Sequence, residues 1–151
     1  MDSYDTIIIG AGAAGLIAAG KAAEKRLSVL VLEKMNKAGL KILITGKGRC
    51  NITNIAPVQD YFKCIHPNGR FLKHAFSAFF SYDIVNLLDE YGVKSVVERG
   101  GRVFPESNKS SDVLQALLAY SRKNGVRFLY NHRVTELIIS EGVIQGVIAE
   151  H

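Results

Sequence analysis

Cysteine is scarce in this sequence: only Cys50 and Cys64 occur, and they are not in CxxC spacing. His66, His74, His132 and His151 do not fall at zinc-ligand intervals around them, so neither a disulfide framework nor a metal site is expected. A chain of 151 residues buries roughly 70% of the surface its unfolded form exposes, enough to build a core without such staples. Apolar runs of bilayer length are missing as well, which argues against a membrane span. The start, Met1-Asp2-Ser3-Tyr4-Asp5, is acidic and lacks the basic and apolar regions of a signal peptide. These absences predict a cytoplasmic protein with reduced thiols and no membrane partner. With 48% hydrophobic and 22% charged residues, no internal repeat and no low-complexity linker, one globular domain over residues 1–151 is expected.

Acidic residues are also absent between Lys34 and Gln59, where Lys34, Lys37, Lys41, Lys47 and Arg49 account for the whole formal excess of +5. A glycine-spaced basic segment of this kind suits a phosphate or another anionic ligand. A nucleic-acid surface usually spreads its charge over a face and interleaves aromatics.

What is present reads as alternating strands and helices. Tyr4–Ile9 is a short β-branched run bounded by glycine, as in a buried parallel strand; Ala13–Arg26 follows as a helix rich in alanine and glycine; Ser28–Leu32 is a second strand. Together they form a right-handed βαβ unit on a parallel sheet. Gly39–Pro57 has no apolar period and is expected to be an ordered loop. Asn68–Phe80 and Tyr82–Tyr91 read as helices, the second closed by Gly92. Val93–Glu98 and Arg102–Phe104 flank Gly100-Gly101 as a hairpin. Ser111 is the expected N-cap of a helix through Asn124, closed by Gly125. Val126–Tyr130 is the expected third parallel strand, and Val134–Ser140 with Val143–Ala149 a second hairpin around Glu141-Gly142.

Gly10-Ala11-Gly12-Ala13-Ala14-Gly15 is GxGxxG. Its context lends it weight: it follows a strand, opens a helix, and has Glu33 at the end of the next strand, 18 residues beyond Gly15. Gly10 permits the tight turn, Gly12 lets backbone approach a pyrophosphate, and Gly15 allows close helix–strand contact. The pyrophosphate would sit at the positive end of the helix macrodipole. Glu33 suits an adenosine ribose with two free hydroxyls. The turn at Lys25-Arg26-Leu27-Ser28 lacks the glycine such units usually carry. This unit accommodates NAD and FAD equally.

The choice comes from Gly39-Leu40-Lys41 and Thr45-Gly46-Lys47-Gly48-Arg49-Cys50-Asn51-Ile52-Thr53-Asn54. Here the sequence resembles the bacterial flavoproteins of the HI0933-like family, also described as BaiN-like or aminoacetone-oxidase-like, whose signature is a glycine, a lysine and then TGxGRCNxTN. Gly101-Arg102-Val103-Phe104-Pro105-Glu106-Ser107-Asn108-Lys109-Ser110 resembles that family's GRxFPxSxKA pattern, with Ser110 where alanine is common. The resemblance implies an α/β fold: a Rossmann-like, three-layer FAD-binding domain with a parallel sheet and a β-meander. It implies FAD held noncovalently by Gly10, Gly12, Ala13, Ala14 and Gly15 at the pyrophosphate and Glu33 at the ribose, with Lys34 and Lys41 nearby. Thr45, Gly46, Gly48, Arg49, Cys50 and Asn51 would lie on the flavin side, and Val134 would meet adenine through backbone.

The residues of the loop agree with that role. Gly46 and Gly48 let N–H groups converge on an oxygen, and Arg49 can neutralise a phosphate or the N1 region of a reduced flavin. Cys50 invites a redox-thiol role, but without a partner cysteine a small buried thiol is the commoner case. Arg102 and Lys109 are candidates for an anionic substrate or for capping the helix that follows. Phe71, Phe76, Phe79 and Phe80, interleaved with Arg70, Lys73 and His74, are at helical spacing and are expected in the core rather than stacking on bases.

The resemblance covers the whole chain, yet the family is longer. The expected domain is therefore incomplete at its C-terminal end, without a substrate domain or the segment that closes over the flavin, and its open sheet edge is a liability for self-association. The expected function is the FAD-binding part of a flavin-dependent oxidoreductase acting on a small molecule, with NAD(P)H the candidate electron donor, and with no nucleic acid among its partners. Two alternatives are the NAD-binding domain of a dehydrogenase, in which the 34–59 segment has no role, and a basic nucleic-acid-binding module, which predicts salt-steep binding.

Overall fold

The computed structural model describes residues 2–151, which form two compact units: one of residues 2–43 and 117–151, the other of residues 44–116.

The first unit is built on a parallel sheet. β1 (Thr6–Ile9), β2 (Val29–Glu33) and β6 (Arg127–Tyr130) lie in the order β1-β2-β6, both pairs parallel, with Ile7 opposite Leu30 and Glu33 opposite Tyr130. Every residue of β2 is buried, which is why its sequence is an unbroken apolar run up to Glu33. α1 (Ala13–Glu24) connects β1 to β2. Its small residues let a second helix approach closely: a Cβ on Gly20 would run into the Tyr120 ring. That ring belongs to α6 (Ser110–Lys123), whose Ser121 hydroxyl is buried and donates to the carbonyls of Leu16 and Leu117, 3.0 Å each. The Tyr120 hydroxyl donates to Glu24 at 2.9 Å. The glycine-free turn after α1 folds by placing Arg26 at φ 64°, a conformation that glycine takes without strain.

β7 (Arg133–Ser140) and β8 (Val143–Glu150) form the expected hairpin. Glu141 and Gly142 both have positive φ, 51° and 77°, as a two-residue turn matched to strand twist requires.

The second unit contains an antiparallel sheet in the order β3-β5-β4, from β3 (Thr53–Asn54), β5 (Arg102–Pro105) and β4 (Ser95–Glu98). The hairpin around Gly100-Gly101 is therefore present. Three local expectations change. Gly39–Pro57 is not all loop: α2 (Leu40–Ile44) occupies part of it, a helix of little more than one turn and too short to show a period. Asn68–Phe80 is not one helix but a 3₁₀ turn, Gly69–Leu72, followed by α4 (Lys73–Ala78), and it is preceded by α3 (Val58–Cys64). The chain extends at Phe79, and Asp83 accepts from the Phe80 N–H at 2.6 Å, so that α5 (Ser81–Glu90) starts afresh. Ser111 lies inside α6 rather than capping it, and its hydroxyl donates to Asp112.

The Tyr61 hydroxyl organises this unit. It donates to the Asn54 carbonyl at 2.6 Å, accepts from the Asn54 N–H at 3.1 Å and lies 3.2 Å from the Ser81 hydroxyl. Its ring packs edge-on against Phe76 and Phe80, and Phe62 stacks on Phe76. Phe71 takes no place in the core, with 81% of its surface exposed.

Candidate functional site

The carboxyl ends of β1, β2 and β6 meet at Glu33. Ala11, fully buried, donates its N–H to Glu33 Oε2 at 2.7 Å, and the Met35 N–H donates to Oε1 at 2.9 Å. The Glu33 carbonyl accepts from His132 N–H at 2.9 Å, which ties the chain after β6 to the end of β2. Gly39 N–H donates to the Ala11 carbonyl at 2.9 Å, so the residues leading into α2 are pinned to the same turn. One buried carboxylate thus fixes the loop between β1 and α1.

That loop is tight. Gly10 sits at φ 98°, and a Cβ on Gly15 would collide with the Gly10 carbonyl oxygen. Gly12, Ala13 and Ala14 are exposed at the N-terminus of α1, where Gly12 provides no side-chain cap and the first turn holds no acidic residue. The first N–H groups of a helix have no intrahelical acceptor, and the dipole places partial positive charge there. A 12-residue helix that begins on bare glycine and alanine is therefore suited to an anion. A Cβ on Gly12 would meet nothing within 4 Å, so the approach is open. Gly10, Gly12, Ala13, Ala14, Gly15 and Glu33 are all brought together here. Lys34 and Lys41 are exposed in the same unit, and Val134, on β7, lies two residues beyond the His132 that bonds Glu33.

The second glycine-marked segment, 45–51, lies in the other unit. Gly46, Lys47, Gly48 and Cys50 all have positive φ, at 57°, 58°, 86° and 63°. Two of these are not glycine, and each such residue stores strain that its surroundings must hold. The holding contacts are visible. Arg49 N–H donates to Gly46 and Cys50 N–H to Thr45, at 3.2 and 3.0 Å. The Arg49 guanidinium donates to Glu98 at 2.7 Å and to Asn108 at 3.3 Å, and lies 4.1 Å from the centre of the Phe104 ring. Arg49, expected beside a phosphate or the flavin, has a carboxylate partner 49 residues away in the chain that no local pattern signals. The Arg49 guanidinium, by hydrogen bond first, holds the Glu98 carboxyl below the usual carboxylate range.

Cys50 is buried, and burial pushes its thiol above the ordinary value, with a hydrogen bond to Thr45 opposing that rise. A thiol held protonated is a poor nucleophile and a poor electron donor. Of the residues expected for an anionic substrate, Arg102 donates to the Arg99 carbonyl, with its guanidinium 3.9 Å from Glu98, and Lys109 lies exposed just ahead of α6, its carbonyl accepting from Asp112 N–H. Among the described residues no group of His, Cys, Asp and Glu is arranged to hold a metal ion, and no helix is long and apolar enough to cross a membrane.

A sequence model of the HI0933-like protein Rossmann domain matches residues 4–150. The chain is 30% identical over 141 residues to a ribosomal RNA dihydrouridine synthase of Escherichia coli K12, a match covering 93% of this chain and 34% of that protein. It is 33% identical over 136 residues to a 3-dehydro-bile acid delta(4,6)-reductase of Clostridium scindens, covering 88% and 32%. The chain thus spans about a third of the length of these relatives. Among solved structures, a 3-ketosteroid-delta4-(5alpha)-dehydrogenase from Rhodococcus jostii RHA1 superposes with a TM-score of 0.71 at 19% identity, over 97% of this chain and 42% of that one. At that identity the likeness is one of fold.

Proposed function

The chain belongs to the HI0933-like family of Rossmann domains, and on that premise we propose that it is the FAD-binding portion of a flavin-dependent oxidoreductase. The observation that carries the reading is Glu33, buried at the strand end with its carboxylate bridging Ala11 and Met35 beside the uncapped start of α1. A carboxylate has about four acceptor positions, and the two backbone bonds leave the others for ribose hydroxyls. The exposed N–H groups of the first turn of α1 bind the pyrophosphate without a counter-charge having to be displaced. FAD fits this end of the unit: the first turn of α1 is open above Gly12, positively polarised and without an acidic residue of its own. Backbone at Val134 serves adenine, and Lys34 and Lys41 contribute positive charge.

For Thr45, Gly46, Gly48, Arg49, Cys50 and Asn51 the support is the resemblance to the family signature together with the left-handed backbone run. Their assigned role is main-chain hydrogen bonding on the flavin side, with Arg49 keeping the turn's shape through Glu98 and Phe104. Bound FAD supplies reversible hydride and electron transfer; the chain's own part is to orient the dinucleotide. The relatives are named for substrates as different as a ribosomal RNA and a bile acid, so the region they share with this chain is assigned to cofactor rather than to substrate. NAD(P)H is the proposed donor.

The test is an absorbance spectrum of the purified chain followed by titration with FAD and, separately, NADH. Flavin bands or saturable quenching of FAD fluorescence are expected. Saturable NADH binding with no response to FAD would replace this reading with that of a dehydrogenase domain.

A further inference from the structure

The 22 residues from Tyr61 to Tyr82 contain no acidic residue but include Lys63, His66, Arg70, Lys73 and His74. Within this stretch lies a cleft of about 430 Å³. Phe62 and Lys63 line it from α3, and His66, Pro67, Asn68 and Arg70 line it from the 3₁₀ turn Gly69–Leu72 and the residues leading into that turn; no lining residue is acidic. The two walls are fixed against each other, because Gly69 is buried and a Cβ there would strike the backbone of Phe62. Phe62 in turn stacks on Phe76, with ring centres 5.9 Å apart. Lys63 pairs with Asp60 at 2.7 Å, whereas Arg70 and His66 form no ion pair among the described residues. α3 is also bonded to the signature segment of the same unit: Tyr61, next to Phe62, accepts from the Asn54 N–H and donates to the Asn54 carbonyl, and Asn54 ends the TGxGRCNxTN run.

We propose that this cleft takes the adenosine end of NADPH, with Arg70, His66 and Lys63 holding the 2′-phosphate, so that the electron donor is NADPH rather than NADH. The inference rests on the flavoprotein reading above, since a bound flavin is what gives a nicotinamide donor its acceptor. The transfer it serves is a hydride from the dihydronicotinamide, released as NADP⁺, to oxidised flavin, with a proton from solvent completing the reduction. A ribose with two free hydroxyls is recognised by an acceptor, as Glu33 offers in the first unit. A 2′-phosphate is recognised by cations, arginine above all, because its fork matches phosphate oxygens. The cleft has the second kind of lining and none of the first. Phe62 and Pro67 give a purine an apolar wall, and the Asn68 amide can both donate and accept at the purine's edge. The volume is at the small end of the range for small-molecule sites, roughly 300–1,000 Å³, as suits one nucleotide of a dinucleotide. A free inorganic anion would use the cations and leave the apolar wall without a role.

The experiment is isothermal titration calorimetry of the full chain, saturated with FAD so that the Glu33 site is occupied. The titrants are NADP⁺ and NAD⁺, which carry the two adenosine ends and have no hydride to transfer. NADP⁺ should bind saturably, and NAD⁺ roughly tenfold more weakly, the worth of one charged hydrogen bond. Adenosine 2′,5′-bisphosphate should displace NADP⁺, and inorganic phosphate at the same concentration should not. Arg70→Ala should bring the two dinucleotides to equal affinity, and Arg70→Glu, which supplies an acceptor for the ribose hydroxyls, should invert the preference. Circular dichroism and FAD affinity should be unchanged in both variants, which separates this cleft from the FAD site. No saturable binding of NADP⁺, equal affinity of the parent for the two dinucleotides, an undiminished preference in Arg70→Ala, or displacement by inorganic phosphate as effective as by the bisphosphate would each overturn the proposal. FAD uptake is read beforehand by fluorescence quenching. A chain that takes up no FAD fails the flavoprotein reading, and the same titrations of parent and Arg70→Ala without FAD then decide whether the cleft holds the 2′-phosphate.

Discussion

Two glycine-marked turns carry the sequence signatures of this chain, and they are built in opposite ways. The turn at 10–15 holds itself together through one buried carboxylate and leaves its outer residues bare: Gly12, Ala13 and Ala14 are exposed and uncapped. The turn at 45–50 closes on itself. The N–H groups of Arg49 and Cys50 bond within the turn, its arginine is matched to Glu98 and Phe104, and its thiol is buried. The two glycine-rich motifs thus offer different groups to a ligand: bare helix N–H groups at 10–15, and at 45–50 the backbone of a turn whose arginine and thiol are already engaged. What separates the two is whether the polar groups of the turn already have partners.

The sharpest way to break this contrast is to add one methyl group to each turn. In Gly15→Ala the Cβ would strike the Gly10 carbonyl, and backbone cannot yield as a flexible side chain does. The expected loss is about 2–4 kcal/mol in chemical denaturation, with FAD binding lost as well. Gly48→Ala has open space around its Cβ and only a left-handed φ of 86° to bear, which costs about 1 kcal/mol. Equal losses at the two positions would mean that both turns are held by the same kind of contact.

Glu33 comes next in size. Glu33→Ala leaves the Ala11 N–H buried without an acceptor, and about 2–3 kcal/mol of stability should go with it. Glu33→Gln keeps one carbonyl acceptor and should lose less than half as much, while still weakening FAD binding because an acceptor for the ribose is gone. If Glu33→Gln binds FAD as tightly as the parent does, the carboxylate is a structural clamp alone and the ribose assignment fails.

How far the sequence alone reached follows the same division. The β1-α1-β2 unit, the third parallel strand and both hairpins were legible because apolar runs, helix period and Gly-Gly or Glu-Gly turns are local signals. Glu33 was legible as an acid at a strand end, but its bonds to Ala11 and Met35 were not, since a strand-end acid looks the same whether it faces a ribose or a backbone N–H. The 45–50 turn was legible as a loop and illegible as a closed one: its partners Glu98, Phe104 and Asn108 lie about fifty residues on. Phe71 shows the limit of periodicity, because a 3₁₀ turn shifts the side chain off the face that an α-helix would bury.

Cysteine chemistry gives a kinetic test of how closed the second turn is. Cys64 is exposed, whereas Cys50 is buried with its thiol pushed up by desolvation. Titration with a thiol-reactive dye at neutral pH should modify one cysteine promptly and the second only on denaturation. Prompt modification of both would show that the 45–50 turn opens readily and would bring back a redox role for Cys50.

The smallest expected effect concerns the Arg49–Glu98 pair, which is partly exposed and so contributes little at neutral pH. Its signature is a pH dependence rather than a magnitude. Because the hydrogen bond from Arg49 lowers the Glu98 pKa in the folded chain, the folded state holds this proton less tightly than the unfolded state does. The pair's contribution is complete above the ordinary glutamate range and fades as the pH falls through the lowered value. Thermal melts of the parent and of Glu98→Gln should therefore differ most at neutral pH and converge on acidification. Adding FAD should leave that convergence in place if Arg49 stays with Glu98 when the cofactor binds. Should the difference between the two proteins instead vanish at neutral pH once FAD is present, Arg49 has exchanged its carboxylate for the ligand, and the second turn gives the cofactor a side chain as well as its backbone.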